Sequence, residues 1–293
     1  MNLNNAEEIQ KEFNGFQEML EKGDKNTAAD KLDELLQALE ESDKTRRAGA
    51  VDKHAEVTIS EADDLSEDIY ISLNHVMEYY IYEYYFKPEA KVYCTEIPYG
   101  EYYRIYGELC LSLEKYNAAE KAYKRAAAWN PVDLDAYLGL AEVYKYQNKL
   151  TKYLTVTNQA YRYCCTRATM ARYYRNMAYY HLSSYRPQLA RECYVYSNIY
   201  YHTENADSEL IYIEEALKEK TPEPDIRQIQ KNFDENGIQP GPDSDTVGIV
   251  YRVGEILLKD GEYKLARDCF SIVYDITQDK AVEKLLDELE KEG

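Results

Sequence analysis

Glycine and proline are scarce in this sequence, at 12 and 8 among 293 residues, and tryptophan and phenylalanine are scarcer still, at one and five. So few turn formers exclude an architecture of many short strands. The Ala, Leu, Glu and Lys that dominate many segments point instead to an all-α chain. Long hydrophobic runs are missing too: the most apolar stretch, residues 79–86, is short, interrupted by Glu83 and rich in tyrosine, so no membrane span is expected. Nor is a secretory leader expected, because Met1 is followed by Asn, Glu and Gln rather than by a basic stretch and an apolar run. The six cysteines contain no CxxC pair, which points to reduced, structural thiols and a cytoplasmic location.

Catalytic signatures are absent as well. No HExxH, GxGxxG or GxxxxGK[ST] string occurs, and the four histidines, at 54, 75, 181 and 202, are scattered. His181 reads as a packed core imidazole and His75 as a helix residue. Cys164 and Cys165 are adjacent, a spacing at which a disulfide needs distortion. The acidic run 61–64 lacks the alternating carboxylates of a calcium loop. The expectation is a protein without enzyme activity, cofactor or metal.

What is abundant is tyrosine, 32 residues, whose ring is apolar in body and polar at its tip. Most of these rings are expected between helices with the hydroxyl at the rim, leaving a minority for contacts. The net charge of −19 is uneven: −13 over residues 1–100, +6 over 101–200 and −12 over 201–293. An acidic body with a basic middle disfavours nucleic acid and anionic lipid, and suits a protein or peptide partner carrying acidic groups.

Along the chain, residues 1–42 read as a helical hairpin, with Phe13, Phe16 and Leu20 in its first helix and Leu32, Leu35, Leu36 and Leu39 in its second. Residues 43–64 read as a linker. Residues 65–99 read as a long helix, ending at Phe86 before Pro88, followed by a loop. A 34-residue pattern then begins: Tyr103, Tyr106, Gly107, Cys110, Ala119, Tyr123, Ala126, Pro131. It recurs as Tyr137, Leu140, Ala141, Tyr144 and Ala160, again as Tyr174, Met177, Ala178, His181, Ala190, Tyr194 and Ser197, and finally as Val250, Val253, Gly254, Leu257, Ala266, Phe270 and Val273. Three copies fill residues 100–204. Residues 205–246 hold a degenerate helix pair and a Pro/Gly loop, and residues 247–293 the last copy with a polar-faced capping helix.

This pattern resembles the tetratricopeptide repeat, W-x2-L-G-x2-Y, then A-x3-F, then P, with Tyr103 in the place of Trp, Tyr106 of Leu and Cys110 of Tyr. The resemblance implies a right-handed α-solenoid of helix pairs, extended here by the N-terminal hairpin and the capping helix. It also implies a partner held along the concave surface of each pair's first helix. The side chains there are Arg104, Glu108 and Leu111 in the first unit, and Leu138, Glu142 and Lys145 in the second. Arg172, Arg175, Asn176 and Tyr179 follow in the third, and Tyr251, Arg252 and Glu255 in the last.

Arg172, Arg175 and Tyr179 share one helix face, where two guanidinium forks suit a carboxylate. One branch of the family grips a terminal carboxylate with a Lys/Asn set. Here Glu108 and Gly139 stand in place of its amides, so that clamp is not expected. Two functions are compatible with the sequence: a scaffold or adaptor that binds protein or peptide, and a peptide-responsive regulator whose N-terminal helices act on a target. Residues 1–42 are net acidic, which disfavours a DNA-reading helix among them. Oligomeric state is not legible.

Overall fold

The computed structural model describes residues 6–42 and 68–292, so the expected linker, residues 43–64, lies outside the described residues. The protein is all-α, with fourteen helices and two three-residue strands among the described residues. It divides into two compact units, Met1–Thr155 and Val156–Gly293.

The first unit opens with α1 (Ala6–Glu21) and α2 (Lys25–Ser42). Gly23, at φ 81°, makes the turn between them, a backbone conformation that costs a glycine nothing. The hairpin buries Phe13, Phe16, Leu32, Leu35, Leu36 and Leu39. It docks on α4 (Tyr99–Ser112), where the Phe13 ring stacks on Tyr102 at 4.2 Å between centroids.

The expected long helix from residue 65 is shorter than the sequence pattern suggests. Residues 69–71 form a strand, β1 (Ile69–Ile71), paired in parallel with β2 (Val92–Cys94), and the helix α3 (Val76–Phe86) lies between them. The reason is local. Glu78 turns back to accept hydrogen bonds from the backbone N–H of Asn74 (2.6 Å) and His75 (3.3 Å), which fixes the helix start after His75. His75 is therefore the residue that caps α3 and not one inside it. Ile69, Tyr70 and Ile71, with β-branched and aromatic side chains, then pair instead of coiling. Ser72 N–H donates to the Trp129 carbonyl at 2.8 Å and ties this corner to the repeats.

From α4 on, the chain runs through α5 (Tyr116–Trp129), α6 (Leu134–Tyr146) and α7 (Leu150–Tyr161). Ala119 and Ala126 are fully buried, and the Tyr123 ring fills the space over Gly107. The second unit continues with α8 (Arg167–Ser183), α9 (Pro187–Tyr200), α10 (Glu204–Leu217), α11 (Ile226–Glu235), α12 (Ser244–Lys259), α13 (Tyr263–Thr277) and α14 (Lys280–Glu292). Helices pack in sequential pairs, α4 with α5, α8 with α9 and α12 with α13. The turns within the four repeats hold one residue each in the left-handed region, Glu114, Asn148, Tyr185 and Gly261, at φ 58°, 54°, 59° and 83°.

The Pro/Gly loop after α11 has a defined seat. The hydroxyls of Tyr174, Tyr196 and Tyr161 donate to three consecutive carbonyls, those of Gln239 (2.8 Å), Pro240 (2.6 Å) and Gly241 (2.9 Å). Phe233 of α11 sits behind them, its ring 5.1 Å from Tyr196 and 5.7 Å from Tyr174. A loop without helical hydrogen bonds needs donors for its carbonyls, and phenols supply what phenylalanine could not. The role expected of most tyrosines, rings between helices and hydroxyls at the rim, is realised here. α14 closes the chain by burying Val282 and Leu289 against α13 and leaving its other side to solvent.

Candidate functional site

In the first unit the open faces of α4 and α6 meet the end of α5 around a hollow of about 420 Å³. Glu108, Leu111 and Glu142 line it together with Glu114, Tyr116, Tyr123 and Tyr146. Tyr116 and Tyr146 stack at its rim, 5.5 Å apart and 13° from parallel. Three carboxylates give this hollow a negative sign, opposite to what an acidic partner requires. The cations expected beside them are spoken for: Lys145 Nζ lies 3.9 Å from Glu142, and Arg104 is caged by carboxylates. Arg104 Nη1 stands 3.4 Å from Glu108 and 3.8 Å from Asp135, and its Nε stands 3.6 Å from Asp133.

Asp133 explains why Arg104 turns inward. Its Oδ1 caps α6 by accepting from the Asp135 and Ala136 N–H groups, at 3.0 and 3.3 Å, while the side chain is nearly sealed from water. Burial pushes this carboxyl up to about 6, against the pull of Arg104 and with help from the nearby Glu78 charge. On the other side of α5, burial would raise Glu120, but hydrogen bonds from Lys124 and Lys149, both at 2.8 Å, outweigh it and hold the carboxyl at about 2.

In the second unit, Arg172, Arg175 and Tyr179 are half-buried on α8. Arg175 Nη1 reaches the Tyr201 carbonyl past the end of α9 at 3.5 Å. Burial and then the neighbouring Arg172 charge lower the pKa of Arg175. Asn176 is only 4% exposed, and among the described residues its Nδ2 has no hydrogen-bond partner, so its amide is set into the helix packing rather than on the open face. His181 is packed as expected, and burial together with the Arg186 charge lowers it to about 4.

The three residues expected from the last repeat come together. Tyr251, Arg252 and Glu255 border an open groove of about 590 Å³ on α12. The Tyr251 ring meets Phe270 of α13 edge-on at 5.5 Å. Its floor is apolar, made by Val247 and Gly248 of α12, Val273 of α13, and Ala281 and Val282 of α14. Sequence reasoning missed Val247, Gly248, Val273 and Val282. The first two were within reach, since 244, 247, 248, 251, 252 and 255 fall on one helical stripe. The valines of α13 and α14 join the groove only through tertiary packing. Among the described residues, no group of three His, Cys, Asp or Glu side chains is placed to hold a metal, the six cysteines are free thiols, and no helix is long and apolar enough to cross a membrane.

No protein-family model matches the chain, and no curated protein matches it. Among solved structures, a chain in the crystal structure of the APC/C hetero-tetramer Cut9-Hcn1 is similar, at 14% identity and a TM-score of 0.37. The likeness covers 66% of this chain and 36% of that one, so this protein spans little more than a third of that neighbour's length.

Proposed function

We propose that this protein is a non-catalytic scaffold or adaptor that holds a protein or peptide segment on the first helices of its repeat pairs. The carrying observation is that these helices bury one side and leave the other open over a hollow lined by aromatic and charged side chains. This holds at Glu108, Leu111, Glu142 and Tyr146 in one unit and at Tyr251, Arg252 and Glu255 in the other. Apolar floors with a few polar groups at the edge are what peptide recognition uses, the floor for affinity and the edge for orientation. The Arg172, Arg175 and Tyr179 face is the part of the surface suited to a partner's carboxylate.

The test is a peptide-display selection on the full chain, followed by measured affinities for two charge-reversed variants, Arg172→Glu with Arg175→Glu, and Tyr251→Ala with Arg252→Glu. At least one variant is expected to lose about tenfold in affinity, or 1.4 kcal/mol, with helicity unchanged. Selected peptides that bind both variants as tightly as the parent chain would show that the open helix faces are not the binding surface.

A further inference from the structure

Helix-interior glycines in this protein admit a neighbour. A Cβ at Gly107 or Gly139 would run into the Tyr123 ring, at Gly254 into Phe270, and at Gly100 into the Ser72 carbonyl and Asn130, while at Gly15 it would touch only the flexible tip of Lys31. Gly248, inside α12, is different: among the described residues nothing lies within 4 Å of where its Cβ would be. A helix-interior glycine costs about 1 kcal/mol relative to alanine, and at the other sites close packing offsets that cost. At Gly248 the space is empty and opens into the α12–α14 groove. At the matching position of the other repeats stand Glu101, Asp135 and Arg172, all of which carry full-length side chains.

Two charges along this face are also uncommitted, while Asp279 accepts through one oxygen, Oδ1, from the Ala281 N–H at 2.7 Å and keeps the other for a partner. Arg252 and Glu255 are exposed and have no hydrogen bond or ion pair among the described residues, and Asp279 borders the opposite side. Two carboxylates face one guanidinium there, in a stretch of chain, residues 201–293, that carries −12. The open stripe on α12 runs from Ser244 to Glu255 at helical spacing, which matches the ridge of a second helix laid along it.

We propose that the open face of α12 receives an amphipathic helix of a partner protein, basic along its edges, whose backbone approaches α12 most closely at Gly248. The small residue permits close approach of the two helices. Val247, Val273 and Val282 take the partner's apolar side chains, and Glu255 and Asp279 take its basic ones. This rests on the scaffold reading above and narrows it to one groove and one chemistry.

The probe is an 18-residue fluorescein-labelled peptide with Leu and Lys at amphipathic helical spacing, measured by anisotropy against the full chain, beside a Leu/Glu peptide of the same pattern. At roughly 1.5 Å per residue it covers the length of α12. The parent chain is expected to bind the Leu/Lys peptide and not the Leu/Glu peptide, and Gly248→Leu to weaken binding by about tenfold or more. That variant leaves net charge unchanged and meets open space, so it is expected to fold. Gly248→Ala is expected to raise the thermal midpoint by roughly 2–4 °C, confirming that nothing inside the chain needs the glycine. The proposal falls if the parent chain does not bind, if the Leu/Glu peptide binds as tightly, or if Gly248→Leu binds unchanged, which would mark attraction to an acidic surface at large. Display-selected ligands that ignore Gly248→Leu but respond to the arginine reversals would sink this inference and leave the scaffold reading standing.

Discussion

The ring of Tyr123 occupies the space that a side chain at Gly139 would need, and it also lies 3.0–3.1 Å from where a Cβ at Gly107 would stand. One aromatic side chain on α5 thus locks the first helix of its own repeat and the first helix of the next. The absence of a side chain at Gly139 thus serves packing between α5 and α6.

Gly139→Ala is accordingly expected to destabilise the protein by about 1–3 kcal/mol, although alanine is the better helix former. The measurement is the urea midpoint. Tyr123→Leu should cost stability alone yet make Gly139→Ala nearly neutral, a non-additivity that shared contact requires. Simple additivity of the two would show that ring and glycine do not meet.

The phenol ladder under the Pro/Gly loop makes a second prediction. Tyr174→Phe removes one donor and strands the Gln239 carbonyl, at a cost of about 1–2 kcal/mol. The same change at Tyr196 loses the bond to Pro240 and also the one accepted from Gln230. Amide exchange should quicken in residues 237–245 in both variants before it changes in α8. Unaltered exchange there would mean the hydroxyls do not hold the loop.

Two carboxyls give opposite pH dependences. Asp133 titrates near 6 in the folded chain and near its ordinary value unfolded, so its contribution is fully present below about 4 and is lost as pH rises through 6. Asp133→Asn keeps a capping residue and is expected to gain on the order of 1–3 kcal/mol at pH 7.5 relative to the parent, with the gain gone near pH 4. Glu120, held at about 2, behaves inversely: its stabilisation is present above its unfolded pKa and lost as pH falls from about 4 toward 2. Glu120→Gln should therefore destabilise at pH 7 by about 1–3 kcal/mol, with most of that effect lost by about pH 2.5 and the remainder only below the folded pKa. Denaturant titrations across this range read both.

The turn at Tyr185 offers a fourth. Its φ of 59° is left-handed and its side chain is 94% exposed, so strain there is not offset by burial. Tyr185→Gly is expected to raise stability by about 1 kcal/mol, seen as a higher thermal midpoint, whereas Gly261→Ala at the matching turn should lower it by a similar amount.

The repeat register was legible because it is local. Small residues at Gly107, Ala119 and Ala126 and bulky ones at Tyr103 and Tyr123 recur in sequence, and the helix pairs follow wherever that spacing appears. The helix expected from residue 65 differs where periodicity competed with a cap: Glu78, reaching back to Asn74 and His75, set the start of α3 at Val76. Of the candidate site, the last repeat's Tyr251, Arg252 and Glu255 border one groove, while Arg104 and Asn176, expected on the groove face, are held by carboxylates and buried respectively.

Sequence by itself determined that this is a chain of helical pairs and where each pair turns, since backbone hydrogen bonds and side-chain spacing act within a few residues. Only the tertiary structure decided where the tyrosine hydroxyls go, what sign of charge lines the hollow of the first unit, and that Gly248 has no neighbour among the described residues. Those outcomes join residues far apart in the chain, as Tyr161 and Gly241 are by 80 positions and Tyr174 and Gln239 by 65, and no local pattern carries the identity of a partner at that separation.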